Sequence, residues 1–296
     1  MKRFTAIFLQ PLALFSILFL SACSNFFIGK ENLAEAVDLP DNPARVSFSL
    51  NWQRQVGDGS DEKALHLTPL VTKTRVIAVS ADGYLQAFDS ISGKRLWSQT
   101  IGHRIAAGVG GNNQFVVVGS ENGLLMAFDA QTGQPGWHYQ LSTEIMAVPT
   151  VVGDLVIARA IDGQVTALDA RSGQVVWKQY IGVADLSIRG NAKGIILNKD
   201  ILFTNGTGRI TLLSLATGEP VFSAPVVRGR GITAVARLAD LLATPVVRNN
   251  LLFVSAYRHK TVAINLKDGS LLWESPYASS KDLFADNRYL YLIDKN

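Results

Sequence analysis

Cysteine occurs once in 296 residues, which excludes an internal disulfide framework and any metal site built from several cysteines. Charge of either sign is also in short supply. Lys and Arg number 28 against 24 Asp and Glu, a formal net charge of +4, and Lys2 and Arg3 supply two of those four. No basic run occurs, so nucleic acid is not an expected partner. His66, His103, His138 and His259 stand alone, without a His-x-His or an acidic neighbour at ligand spacing. Gly-x-Ser-x-Gly, P-loop and dinucleotide fingerprints are missing; Gly57-Asp58-Gly59 and Gly229-Arg230-Gly231 are loop glycines. Sustained helical periodicity with caps is missing too, so a helical domain is not expected. With 48% hydrophobic and 18% charged residues, the chain is nevertheless neither disordered nor fibrous.

The first feature present is a leader. Lys2 and Arg3 precede an apolar run from Phe4 to Leu20, interrupted by Gln10 and Pro11 and short for a stable membrane span. A positive start, an apolar centre and small residues at the boundary make a secretory signal. The run closes on Leu20-Ser21-Ala22-Cys23, which resembles the lipobox of bacterial lipoproteins. That resemblance implies cleavage before Cys23 and acylation of its sulfur. Two or three acyl chains anchor stably, since each buried methylene contributes about 0.8 kcal/mol. Ser24 follows where aspartate would signal inner-membrane retention, so the resemblance favours the outer membrane. The expected organisation is a signal peptide over 1–22, a lipidated tether over 23–47 broken by Pro40 and Pro43, and one domain over 48–296.

The second feature is a repeat. Gly83 to Asp89, Gly93 and Trp97 match Gly123 to Asp129, Gly133 and Trp137 without gaps, and again Gly163 to Asp169, Gly173 and Trp177. Two degenerate copies carry Gly208, Ser214, Gly218 and Phe222, then His259, Asn265, Gly269 and Trp273. The aromatic positions are 40, 40, 45 and 51 residues apart, and Trp52 lies 45 before Trp97. In the third copy, residues 147–152, 155–160, 165–169 and 175–180 are predicted strands, separated by turns at Gly153-Asp154, Asp162-Gly163 and the Asp169 to Gly173 loop. About 40 residues in four antiparallel strands is the size of a propeller blade. The fold class is therefore all-β, a β-propeller of four-stranded antiparallel blades. Asp89, Asp129 and Asp169 could be taken for a ring of catalytic carboxylates, but each opens a tight turn, where an Asx side chain bonds backbone amides. Ser214 and Asn265 make that bond without charge. The tryptophans suit packing between blades.

Extra residues in the fourth and fifth copies fall between the fourth strand of one blade and the next blade, enlarging the connectors at 184–193 and 228–242. Such connectors share one face of a propeller and, in successive units, stand side by side. The first holds Leu186-Ser187-Ile188-Arg189-Gly190, and the second Arg228, Arg230, Arg237 and Asp240. Apolar residues beside arginine have the composition of an interface hot spot.

The Ala-x-Asp/Asn-x-x-x-Gly-x-x-x-Trp repeat resembles the pyrroloquinoline-quinone-type propeller repeat. With the lipobox, the Leu186 to Gly190 connector and the Arg237 to Val246 segment, the chain resembles the lipoprotein-propeller family of the outer-membrane β-barrel assembly (BAM) machinery. The resemblance implies a non-enzymatic scaffold without a cofactor or metal, on the periplasmic side of the outer membrane. Its implied partner is BamA, the barrel subunit, contacted through Leu186, Ile188, Arg189 and Asp240. Ile188 replaces the family's usual leucine, and Leu242 stands where enteric members carry a second aspartate. The family has eight blades. Five units are complete here and one is half built, so the sequence is expected to be a truncated form. Alternatives are a periplasmic binding propeller with another protein partner and a quinoprotein dehydrogenase. The latter needs calcium ligands near the axis and often a vicinal cysteine pair, against a single cysteine at the lipid site.

Overall fold

The structure is a computed structural model that describes residues 49–61, 65–183, 192–227, 241–257 and 259–293. Among these residues the regular structure is entirely β. Blade 1 comprises Leu70–Val71, Arg75–Val79, Tyr84–Asp89 and Arg95–Thr100. Blade 2 comprises Ile105–Gly111, Phe115–Ser120, Leu124–Asp129 and Pro135–Gln140. Blade 3 is Thr150–Val152, Leu155–Arg159, Gln164–Asp169 and Val175–Tyr180; blade 4 is Ile195–Leu197, Asp200–Thr204, Arg209–Ser214 and Pro220–Pro225. Blade 5 is Val246–Arg248, Leu251–Ser255, Thr261–Asn265 and Leu271–Ser275, and Phe284–Ala285 pairs with Leu290–Tyr291 as the first half of a sixth. Each complete blade is an antiparallel meander in sequence order. Blade 2 has a fifth strand, because His66–Leu67 lies parallel to its first strand in the register His66↔Ala107 and Leu67↔Gly108.

Alternation within these strands explains how a stack of sheets forms. Central strands are buried on both faces, so successive side chains serve opposite neighbours. In blade 2, Val116 and Val118 pack with Ile77 and Leu85 of blade 1, whereas Val117 packs with Val156 and Leu168 of blade 3. Ile157 of blade 3 meets Ile201, Phe203 and Leu213 of blade 4, and Leu202 turns the other way toward Leu252 and Val254 of blade 5. Fourth strands are the most exposed of each blade, and in blades 1 to 3 the tryptophan is the residue that turns inward first, as the rim of such a stack requires.

Two devices repeat from blade to blade. The third and fourth strands of blades 1, 3, 4 and 5 slip register at the same point, at Ala87/Phe88, Ala167/Leu168, Leu212/Leu213 and Ala263/Ile264. A bulge there increases the local twist. A tryptophan then clasps each of blades 1 to 4, Trp52 from a segment without strand structure and the others from the fourth strand of the blade before. Trp52, Trp97, Trp137 and Trp177 donate their indole N–H groups to the carbonyls of Ser90, Ala130, Ala170 and Leu215. Their rings cover Gly93, Gly133, Gly173 and Gly218, where a Cβ would lie 2.5 or 2.6 Å from the indole.

The series ends at Phe222. Its ring is half exposed, and a Cβ on Gly269 would meet nothing within 4 Å. The packing between blades expected of the tryptophans is thus made by Trp52, Trp97, Trp137 and Trp177, and Phe222, which has no indole N–H, does not continue it.

The third blade differs from expectation at its first strand. Pairing covers Thr150–Val152 and leaves out residues 147–149. Pro149 cannot donate to a ladder, and its carbonyl lies 2.0 Å from where a Gly110 Cβ would stand. That stretch therefore serves as close packing against blade 2.

Candidate functional site

The aspartates of the repeat are turn residues. Asp89 Oδ1 accepts the amides of Ile91 and Ser92 at 3.2 and 2.8 Å and the Ser92 hydroxyl at 2.7 Å. Asp129 and Asp169 make the same three bonds with Gln131 and Thr132, and with Arg171 and Ser172. The Ser92 and Ser172 amides and hydroxyls hold Asp89 and Asp169 below the usual carboxylate range. At Asp129 burial raises the pKa, but the Thr132 hydroxyl and amide outweigh it and the net shift is downward. Carboxylates held low make poor general acids near neutrality. Asn265 and Ser214 occupy the same corner and accept from the amides of Lys267 and Thr217.

Cys23, Leu186, Ile188, Arg189 and Asp240 all lie outside the described residues. The roots of the two enlarged connectors are described, and they converge. On the first, Ile181 donates its amide to Gly163 at 3.1 Å, and beyond the connector the Gly194 carbonyl accepts the Thr150 hydroxyl at 3.1 Å. On the second, Val226 and Val227 donate to Gly208, and Leu241 donates to Asn205 at 3.5 Å. The hairpin after the second strand of blade 4 joins the two. Asn205 donates its side-chain N–H to the Ile181 carbonyl at 3.0 Å, while the Thr204 hydroxyl donates to the Leu241 carbonyl at 3.0 Å. Both side chains are buried, at 1% exposure for Thr204 and 3% for Asn205. The Asn205 carbonyl oxygen of the side chain also accepts from Thr207 and Arg209, which closes its own turn.

The second root is fastened at a further point, where the Thr244 amide donates to Asp282 at 2.8 Å. Leu241 is fully buried and Leu242 half buried. Thr204 and Asn205 escaped the sequence reading because neither departs from loop composition; their role follows from what faces them across two blades. Arg159 escaped it too. It ends the second strand of blade 3, is 97% buried, and donates Nη1 to the Thr204 carbonyl at 2.5 Å. Among the described residues, no group of three or more His, Cys, Asp or Glu is arranged to hold a metal ion.

Stacked four-stranded meanders, clasped by tryptophan through blade 4 and each with an Asp, Asn or Ser side chain capping the turn after its third strand, define a β-propeller of the pyrroloquinoline-quinone-type repeat. Comparison with known proteins narrows this class. The family model described as "Outer membrane protein assembly factor BamB" matches residues 81–296. BamB of Alkalilimnicola ehrlichii is 44% identical over 282 residues, covering 95% of this chain and 72% of that protein. BamB of Escherichia coli K12 is 29% identical over 293 residues, covering 96% and 74%. The crystal structure of BamB from Moraxella catarrhalis superposes with a TM-score of 0.70 at 29% identity, over 73% of this chain and 66% of that one. The chain belongs to the BamB family of outer membrane protein assembly factors, and spans about two thirds to three quarters of the length of these relatives. A europium-containing methanol dehydrogenase superposes at 15% identity with a TM-score of 0.63, a likeness of fold alone.

Proposed function

We propose that this chain assists the assembly of outer-membrane proteins as a non-catalytic docking scaffold. Cys23, acylated after removal of residues 1–22, anchors it to the outer membrane. Residues 23–47 act as a tether, and the propeller over 48–296 faces the periplasm. Leu186, Ile188, Arg189 and Asp240 form the surface that binds BamA and, through it, the BAM complex. The observation that carries this reading is the common fastening of both connector roots to Thr204 and Asn205, since two loops rooted on one rigid hairpin present a single composite surface. Arginine flanked by leucine and isoleucine suits a hot spot.

The test is capture of the purified chain by the periplasmic part of BamA. The double substitution Leu186→Ala with Arg189→Ala is expected to weaken binding by at least about 30-fold, the equivalent of about 2 kcal/mol. Unchanged capture would refute the assignment. Cys23→Ala is expected to move the protein from the membrane to the soluble periplasmic fraction, and retention in the membrane would refute the anchor.

A further inference from the structure

The position four residues before the hairpin glycine, or before His259 that replaces it in blade 5, lies in the interior in every blade. It is Val79, Gly119, Arg159, Thr204 and Ser255 in turn, and all five are buried. Only blade 3 puts a charge there. A buried cation loses its hydration and needs several partners to recover it. Among the described residues Arg159 has the Thr204 carbonyl alone, and its Nε has no hydrogen-bond partner. Burial pulls its pKa down to about 10, so it remains charged at neutral pH. Stability does not account for such a residue, because an apolar side chain of the same volume is commonly neutral or better in a buried ionic position.

Its location gives another account. Blades 1 and 2, where the position is valine or glycine, precede connectors of ordinary length. Blade 3 precedes the first enlarged one. The guanidinium holds the carbonyl of Thr204, whose hydroxyl holds the Leu241 carbonyl. The next residue, Asn205, takes the Leu241 amide on its backbone carbonyl and holds Ile181 through its side chain. Arg159 therefore stands two hydrogen bonds from the second connector root, and fixes the hairpin from which the first is held.

We propose that Arg159 is a positioning residue: it clamps the Thr204–Asn205 hairpin from the neighbouring blade, and so sets the relative placement of the two connectors that form the partner surface. The role rests on the docking function assigned above, but it is testable apart from it. The full chain is compared with Arg159→Met, which keeps length without charge, and Arg159→Lys, which keeps charge with fewer donors. Amide hydrogen exchange is followed at Leu241, Thr207 and Arg209, with Ala167 and Trp177 as controls inside blade 3. For Arg159→Met, exchange at the first three sites is expected to rise at least tenfold with the controls unchanged. BamA affinity is expected to fall at least tenfold while the melting midpoint moves by no more than a few degrees. Arg159→Lys is expected to recover most of both losses.

Wild-type exchange at Leu241 in Arg159→Met would overturn the proposal. So would exchange that rises uniformly with a lowered midpoint, which is the mark of a purely structural residue. If Arg159→Met does not fold, Arg159→Gln, which keeps a polar side chain without the charge, decides: exchange at Leu241 raised at least tenfold with Ala167 and Trp177 unchanged supports the clamp, and a wild-type rate refutes it. Wild-type protein that fails to bind BamA would refute the docking function and leave the exchange comparison to judge the clamp.

Discussion

Gly133 and Gly269 form a matched pair that isolates the contribution of one inter-blade contact. Both close the turn after a third strand, both have φ of +73°, and both donate their amide to the residue that opens the turn, Asp129 or Asn265. They differ in what lies above. A Cβ on Gly133 would sit 2.5 Å from Cε3 and 2.8 Å from Cδ2 of Trp97, whereas on Gly269 it would meet nothing within 4 Å. An alanine at Gly269 incurs only the left-handed backbone term of about 1–2 kcal/mol, offset by about 0.4–1 kcal/mol of lost freedom in the unfolded chain. Gly269→Ala is therefore expected to destabilise by about 1 kcal/mol. Gly133→Ala carries the same term and adds an overpacking cost of about 1–3 kcal/mol, because the indole is held by its bond to Ala130 and cannot withdraw freely. The assay is urea unfolding of each full-length variant under identical conditions, followed by tryptophan fluorescence. A gap of about 1–3 kcal/mol between the two is expected. In a Trp97→Ala background, the Gly133→Ala cost should fall to that of Gly269→Ala, a coupling that a double-mutant cycle measures. Equal costs for the two glycines in the wild-type background would refute the clasp as an energetic contact.

Other outcomes follow from the same structure. Trp137→Phe removes the 2.8 Å bond to Ala170 that fixes the ring over Gly173, and should cost at least about 1 kcal/mol by urea midpoint. Thr204→Val leaves the buried Leu241 carbonyl without its hydroxyl donor, which should cost about 1–3 kcal/mol and weaken BamA capture; undiminished capture would sever the hairpin from the connector surface. Asp89 and Asp169 have folded-state pKa values below their ordinary 3.8, so their contribution is fully present above about pH 4 and is lost as pH falls through the lowered values. The double variant Asp89→Asn with Asp169→Asn should therefore flatten the fall of melting midpoint below about pH 4. A pH profile identical to the wild type would refute it.

The repeat was legible because its turn chemistry is local. Asp-x-x-Ser-Gly and the hairpin glycine need only their own neighbours, and the structure has Asp89, Asp129 and Asp169 bonded as their spacing requires. The tryptophan clasp was half legible. Trp97 and Gly133 each stand out, but their contact spans 36 positions of sequence and depends on how one twisted sheet lies against the next. The support of the connectors was not legible at all. Arg159 sits in an apolar run ending Ile157-Ala158-Arg159, where a charge usually marks a strand leaving the core. Its burial is decided by the hairpin of another blade, and no local pattern records that.

The missing clasp between Phe222 and Gly269 bears on how the blades act together. A row of similar units, each touching only its neighbours, is a set of couplings in series, and such a row parts first at its weakest coupling. Blades 1 to 4 are joined at the core and again at the rim. Blades 4 and 5 share the core of Leu202, Leu241, Leu252 and Val254 without the indole closure outside it. Opening would start there from the rim, at the joint between blades 4 and 5. A load on blade 5 would thus find its compliance at that joint, while blades 1 to 4, with the Thr204–Asn205 hairpin of blade 4, stay together as one lever.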